Sequence, residues 1–495
     1  MKKTNTKMVT IALFVATFLT AIEGTIVSTA MPTIISDLRG IELMNWVFSI
    51  YLLTSAVTVP VFGKLADLFG RKHVFLIGTI VFLIGSALCG LAHTMEQLIL
   101  FRAIQGIGAG AVMPVTNTII ADIYPHEKRA KMLGLTSLAW GIAGVIGPLV
   151  GGFFVDQLSW HWVFYINIPF GLASILMVMS SLHESIEKTK KSIDVWGAIT
   201  FSSGMLALLY GLQKAGDTHD WGSPSVIGLF ACAVIFLAGF IFIETKVKEP
   251  MIPLMLFRIQ SISVSNVVAL LVSVVLIGLN VYIPMWVQGG LGYNATISGL
   301  MLAPMSITWM IGSFWGGKIH LSRGSRFSVA LGMIVITVSM FWLALFTLHT
   351  PSIMFYLLSA LMGIGFGIVV TITIISAQSS VDWSMRGAAT ASNIFSRNLG
   401  QSVGAAVLGT YFNASIASKL QNQPHGQAMG PNSLNQLINH TSAARLPAVI
   451  RTALRSVLES GLHHLFIIIA VVSLLGFAVS FLFPREDQPL KANGQ

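Results

Sequence analysis

The sequence predicts an all-α polytopic membrane protein whose fourteen spans form two six-helix bundles plus two extra transmembrane helices. Three observations predict it. The 495 residues are 54% hydrophobic and only 10% charged, far from the quarter-charged composition of a soluble domain. Apolar runs of roughly 20 residues, the length that crosses a bilayer, recur along the chain. A short motif also repeats: Gly63-Lys64 and Gly317-Lys318 are each followed, after five residues, by a second glycine, Gly70 or Gly324. Two bundles of like orientation, related by an axis along the membrane normal, produce such a repeat.

The apolar runs lie near 9–30, 45–65, 73–93, 97–121, 132–155, 162–183, 194–213, 224–244, 262–287, 296–317, 327–347, 352–376, 393–415 and 461–483. The first six make an N-terminal bundle over 1–188. The next two are linker helices within 189–250, and the last six make a C-terminal bundle over 251–495. A polar loop at about 416–460 lies outside, with a surface helix at 443–459. An even number of spans puts both termini on one side. Lys64, Arg71 and Lys72, then Lys128, Arg129 and Lys131, then Lys188, Lys190 and Lys191, then Lys246, Lys248 and Arg258, then Lys318, Arg323 and Arg326 fall on alternate loops together with Lys2, Lys3 and Lys7. The positive-inside rule assigns that side to the cytoplasm. The opening MKKTNTK and its apolar run read as a retained first span, because the run exceeds a signal-peptide core and contains Glu23.

A net charge of +10 and a pI near 9.6 do not indicate nucleic acid, since the basic residues sit in short clusters between apolar runs. Cys89 and Cys232 each fall inside an apolar run, which argues against a disulfide framework or a thiolate metal site. No His, Asp and Glu are spaced for a metal, and none is expected. Two nucleotide-like patterns are set aside. The glycines of 106–110 lie within a span with no preceding strand and read as a close-packing face. The run 312–318 ends in Ile319 where a phosphate loop needs Ser or Thr. With no ATP site and no cofactor, ion gradients are the energy source.

Glu23 is the residue that needs a reason. At 1.5 Å per residue it lies about 10 Å from the outer end of span one, and Arg102 lies about 8 Å from the outer end of span four. A lone charge within a span costs about 2.5 to 3.5 kcal/mol on insertion scales, so such residues pair or line a cavity. A structural ion pair is one reading. The other is a carboxyl balanced between burial, which favours the neutral acid, and Arg102, which favours the carboxylate, so that a proton and a cationic substrate compete for it. Methionine and aromatic residues near the centre of each half, Trp140, Trp286, Met305 and Trp309 with Gln105, form a candidate substrate pocket. Met repacks, and ring faces attract cations. Arg397 and Gln378, near the inner ends of their helices, read equally as gating or capping residues.

Several motifs together resemble the major facilitator superfamily, and within it the fourteen-span drug:proton antiporter branch. Gly63-Lys64-Leu65-Ala66-Asp67 with Gly70-Arg71-Lys72 is similar to the superfamily signature, with Leu68 where a basic residue is usual. Leu98, Arg102, Gln105, Gly106 and Gly108 follow in span four. Gly134, Gly147, Pro148, Gly151 and Gly152 in span five resemble the antiporter signature, with Ala143 replacing a glycine. Glu23-x-Thr25-Ile26-Val27 with Ala30-x-Pro32 marks the fourteen-span branch, as does Trp160-His161-Trp162-x-Phe164-x-Ile166-Asn167-x-Pro169. Asp is commoner than Glu23, and Arg is usual at position 161.

The resemblance implies a proton-coupled exporter of lipophilic, often cationic small molecules, working as a monomer in a bacterial cell membrane. It implies proton coupling at Glu23 and Arg102 and a cytoplasmic gate at Gly63, Asp67, Gly70, Arg71 and Lys72. Asp67 then either latches the N-terminus of span thirteen or serves topology alone. The span-five glycines and Pro148 either seal the bundle interface or simply allow close packing. Two alternatives to drug efflux are export of one endogenous metabolite or lipid, and a polytopic membrane enzyme or sensor.

Overall fold

The computed structural model describes residues 4–124, 126–184, 194–218, 220–247, 250, 254–381, 385–421, 436–437, 443 and 446–484, with only the helical path for a few of them, Asp67, Gly134 and most of 126–138 included. The described chain is helical. The first bundle comprises α1 (Thr6–Leu38), α2 (Met44–Phe69), α3 (Arg71–Cys89), α4 (Met95–Ile123), α5 (His126–Gln157), the short α6 (Trp162–Tyr165) and α7 (Asn167–Ser181). Then come α8 (Val195–Thr218) and α9 (Pro224–Lys246). The second bundle comprises α10 (Gln260–Met285), α11 (Ala295–Leu343), α12 (Ser352–Ser379), α13 (Arg386–Gln421) and α14 (Ala448–Ser480). Among the described residues, 12 helices are long and apolar enough to cross a membrane. Helix α13 is not one of them, because Ser392, Asn393, Ser396, Arg397, Asn398 and Gln401 interrupt its apolar run.

The repeated glycines are the reversal points. Gly70 has φ 90° and Gly324 φ 77°, conformations that a β-carbon disfavours. At Gly324 the reversal leaves no intervening coil, so α11 is two limbs. Residues 312 and 332 would stand about 30 Å apart on one straight helix. Yet Gly312 packs on Ile364 of α12, and Gly332 packs on Ile368 and Val369 of the same helix. The 49-residue α11 therefore corresponds to the two separate runs expected at 296–317 and 327–347.

One boundary differs from the sequence expectation. The surface helix expected at 443–459 and the span at 461–483 are a single helix, α14, from Ala448. Its buried face of Leu454, Val457, Leu458, Gly461, Leu462 and Leu465 continues at helical spacing through the expected break. Gly461 lets Ile416 of α13 approach instead of ending the helix. Helix α13 runs to Gln421, so the expected loop at 416–460 has helix at both ends.

The linker pair is asymmetric. Helix α8 packs between the bundles: Phe201 lies 5.3 Å from Phe395, Trp46 lies 6.3 Å from Tyr210, and Thr410 Oγ1 donates to Leu212 O at 3.1 Å. Helix α9 rests on α8 through Phe201 and Phe240, 5.2 Å apart, and leaves Val234, Ile235 and Phe242 exposed.

The hydrophobic core is shared most extensively at one end, and a smaller shared cluster around α8 brings Ile50, Leu53 and Val57 of α2 to Ala406 of α13. The first bundle contributes residues between Ala21 and Phe48, Cys89 and Leu98, and Trp160 and Phe164 to a cluster that also holds much of α10–α14. Its opposite half, around Val9, Leu13, Phe75, Val115, Ile119 and Val178, forms a separate cluster that contains no residue of the second bundle. The bundles thus meet chiefly at the end carrying the α1–α2 and α5–α6 turns. Among the described residues they share no core at the end of the chain termini.

Candidate functional site

Glu23 and Arg102 meet, as the shared depth requires. Arg102 Nη1 donates to Glu23 Oε1 at 2.5 Å and to Gln105 Oε1 at 2.8 Å, and Arg102 Nε donates to Val47 O at 3.2 Å. The guanidinium lies 4.0 Å from the centre of the Tyr51 ring, a cation–π contact. Asn167, the first residue of α7, donates from Nδ2 to Glu23 Oε2 at 2.8 Å and to Ser86 Oγ at 2.9 Å. Ser86 in turn donates to Phe164 O at 2.9 Å. Glu23 is 0% exposed and Arg102 1%. A buried pair with its remaining atoms hydrogen-bonded is stable, whereas removing one partner costs about 3 to 5 kcal/mol.

The glycine-rich stretch of α4 positions this cluster. Gly106 faces Thr54 and Tyr51 of α2, Gly110 faces Thr58 of α2, and Gly108 faces Phe82 of α3. From the other side, Gly85 of α3 faces the Gln105 backbone. Without β-carbons at these crossings α2, α3 and α4 close tightly, bringing Tyr51, Ser86 and Arg102 around one carboxylate.

The cluster adjoins open space. A β-carbon placed on Gly24 meets nothing within 4 Å, and Gly24 is exposed. Thr17, Thr20, Ser28 and Met31, which share its helical face one and two turns away, are all buried. Along α1 this open space is flanked on both sides by buried residues.

The basic motif after α2 is engaged within the first bundle. Glu184 accepts from Arg71 N and Lys72 N, both at 3.0 Å, placing an anion on the α3 N-terminus. Lys72 Nζ donates to Met179 O at 2.8 Å and Leu182 O at 2.7 Å, placing a cation on the α7 C-terminus. Both arrangements suit the helix dipole. Arg71 Nη1 also pairs with Asp122 Oδ2 at 2.5 Å. Gly63 has open space around it, and the Asp67 side chain lies outside the described residues, as does the surrounding of Gly134.

The described glycines of span five form the seam. Gly147 faces Thr25 and Ile22 of α1, and Gly151 faces Ile26. Gly152 faces Thr296 of α11, and the Pro148 carbonyl lies against Gly299. One helix therefore packs against its own bundle and the other. Three further contacts join the bundles at this end. Asp156 Oδ2 accepts from Thr296 N at 3.0 Å and from Thr296 Oγ1. Gln288 Nε2 donates to Thr29 O at 3.1 Å, and Tyr282 Oη donates to Asn45 Oδ1 at 3.0 Å.

The candidate pocket residues differ in their surroundings. Gln105 belongs to the charged cluster. Trp286 is fully buried at a π-helical turn, Trp286–Gly290, and lies 5.7 Å from Phe466. Met305 is buried on α11, and Trp309 stacks on Phe366 at 5.5 Å. Trp140 on α5 is 47% exposed. At position 161 the ring stacks on Trp160 at 3.8 Å. Burial lowers the His161 pKa, Asp37 opposing and His93 adding to the effect, so near neutral pH this position carries no charge.

Sequence reasoning gave no role to Asn167, Ser86, Tyr51, Glu184 or Asp156. Asn167 stood within a recognised motif, and its polarity at the start of an apolar span was the one available signal. Glu184 and Asp156 become meaningful only when distant helix termini are brought to them.

Two packed helical bundles, the first enclosing a buried ion pair, make a polytopic membrane protein. The chain belongs to the Major Facilitator Superfamily, which it matches over residues 13–405. It is 34% identical over 490 residues to "Multidrug resistance protein 3" of Bacillus subtilis (strain 168), covering 97% of this chain and 96% of that protein. It is 33% identical to "Multidrug transporter protein MdtP" of the same organism, covering 100% and 95%. Among solved structures, a bacterial homolog of the human lysosomal transporter Spinster, in an inward-facing and unoccupied conformation, superposes with TM-score 0.69 at 17% identity, covering 96% of this chain and 97% of that one. A D-xylose–proton symporter gives 0.61 at 14%, covering 86% and 95%. At such identities the likeness is one of fold.

Proposed function

We propose that this protein is a proton-coupled antiporter that expels lipophilic, often cationic small molecules from the cytoplasm. The observation that carries the reading is the Glu23–Arg102 pair beside the open space at Gly24. A proton arriving at Glu23 neutralises the carboxylate, and Arg102 keeps Gln105 and Val47 O as partners. A cationic substrate drawn to the carboxylate displaces the proton. The two ligands exclude each other, which is antiport at a single site. The multidrug names of the relatives support the substrate class.

With both termini in the cytoplasm, as the loop charges indicate, the larger shared core lies outside and this conformation faces inward. Opening outward requires the Asp156–Thr296, Gln288–Thr29 and Tyr282–Asn45 contacts to break. In vesicles containing the purified protein, an imposed proton gradient is expected to drive ethidium accumulation, with protons moving in the opposite direction. Ethidium flux that is unaltered when the gradient is collapsed would exclude antiport.

The same reading has fourteen crossings: α13 joins the twelve apolar helices and the two limbs of α11 count separately. Helices α8 and α9 are then true spans, and single cysteines at Gly216 and Ser192 are expected to label from outside and inside respectively. Labelling of both from one side would exclude this topology.

A further inference from the structure

The charge left over by the Glu23–Arg102 pair lies in the second bundle. Arg397 sits in α13, eleven residues or about 16 Å along the helix from Arg386. It has neither a hydrogen bond nor an ion pair among the described residues, and its Nε is buried without a partner. Gating and capping are thereby poorly served: Gln378, its companion in the sequence, spends its amide on Thr390 Oγ1 at 2.8 Å, and Arg397 caps nothing.

Among the described residues no acid pairs with this guanidinium. Between residues 254 and 484 the chain holds two acids, Asp382 and Glu459. Asp382 lies outside the described residues and precedes the first turn of α13. Glu459, in α14, accepts from Leu348 N at the opposite end of the bundle. In the first bundle, Glu23 is held by Arg102, Asp122 and Glu184 by Arg71, Asp37 by the Trp160 indole and Asp156 by Thr296. Asp194 caps α8 at Gly197 N.

Arg397 stands on the face of α13 that packs on α10, where Gly400 meets the Leu270 backbone and Gly404 meets Val274. Protein surrounds the side chain closely, yet part of it stays accessible. Asn393, Gly400 and Gly404 on the same helical face are buried. One turn away, Asn393 Oδ1 and Ser265 Oγ are also buried without partners. Asn393 reaches Ser265 O at 3.4 Å, and Asn266 Nδ2 donates to Ser392 Oγ at 2.6 Å, so α10 and α13 hold a polar wall here. On either side of Arg397 along α13, Phe395 and Leu399 pack against a cluster that includes Ile50, Leu53 and Val57 of the first bundle. A charge inside a span and without a partner marks a ligand path. A fixed guanidinium is the side chain that recognises carboxylate or phosphate in two-point fashion.

We infer that Arg397 is an anion-recognition residue of the translocation path, selecting lipophilic substrates that carry an ionised acid group. The inference rests on the antiporter reading for its place in transport, but not for its binding chemistry.

The test is equilibrium binding of ciprofloxacin and of its methyl ester, which differ only in the carboxylate, to the purified full-length protein in vesicles of phosphatidylcholine alone or with phosphatidylglycerol. Wild type is expected to prefer the acid about tenfold, the worth of one charge-assisted contact, in both membranes. Arg397→Gln is expected to bring the ratio to about one by weakening the acid alone, and Arg397→Lys to keep part of it. Equal binding of acid and ester by wild type would overturn the inference, as would an equal loss of both in Arg397→Gln. If Arg397→Gln instead removes only a dependence on phosphatidylglycerol, the guanidinium meets lipid phosphate and the inference falls. Absence of gradient-driven ethidium uptake by wild type would sink the antiporter reading while leaving this binding ratio measurable.

Discussion

Glu23→Gln is expected to abolish uphill efflux while leaving the protein folded. The amide keeps the shape of the carboxyl and its oxygen accepts from Arg102, whose donor stands 2.5 Å from the carboxylate; its NH2 then faces Asn167, whose amide must turn its oxygen inward to accept, and the amide neither binds nor releases a proton. One charge moving through about 100 mV supplies around 2.3 kcal/mol, equivalent to roughly a fiftyfold gradient. Ethidium accumulation in wild-type vesicles under such a potential is thus expected to fall from that order to about unity in the variant. Ethidium-induced proton release is expected to vanish. Glu23→Asp, with a shorter reach to Arg102, should retain part of both. The variant leaves the buried guanidinium without its counter-charge, a loss of about 3 to 5 kcal/mol, so a lower melting temperature accompanies the lost coupling. Proton-coupled uphill efflux at the wild-type rate in Glu23→Gln would place the coupling group elsewhere.

Gly152→Val is expected to open the outer end. A β-carbon at this position would stand 2.5 Å from Thr296 Cα, backbone that cannot yield as a side chain does. The neighbouring Asp156–Thr296 contacts depend on the same approach. Overpacking of this kind costs about 1 to 3 kcal/mol. Here the cost falls on the conformation in which α5 and α11 touch, shifting the balance toward outward-open forms by roughly five- to a hundredfold. Spin labels at Leu158 and Leu345, both exposed, in a background with the exposed Cys232 replaced by Ser, report the change as a population at longer distance. Gly152→Ala should give an intermediate shift. An unchanged distance distribution in a folded Gly152→Val protein would show that the seam is not what holds the outer end closed.

Much of the architecture was legible because a bilayer enforces it. A span must be apolar for about 20 residues and must satisfy its own backbone, so each expected run has a helical counterpart and α11 divides where the repeat predicted a reversal. The pairing of Glu23 with Arg102 was legible for the same reason. A charge in a span requires a partner, and depth along a helix follows from counting residues. The glycines of 106–110 read as a packing face, and they pack against α2 and α3.

What counting residues does not give is which helix stands beside which. That decided the completion of the site by Asn167, the docking of Glu184 on the α3 N-terminus and of Asp156 on α11, and the continuity of α14 through Gly461. It also decided the neighbours of the candidate pocket aromatics, with Trp286 and Trp309 packed against rings of the second bundle. The sequence by itself determined the depth of Glu23 and Arg102, because position along a span follows from counting residues. The tertiary structure alone decided that Glu23 is paired while Arg397 has no partner among the described residues, because pairing depends on contacts between helices far apart in the chain.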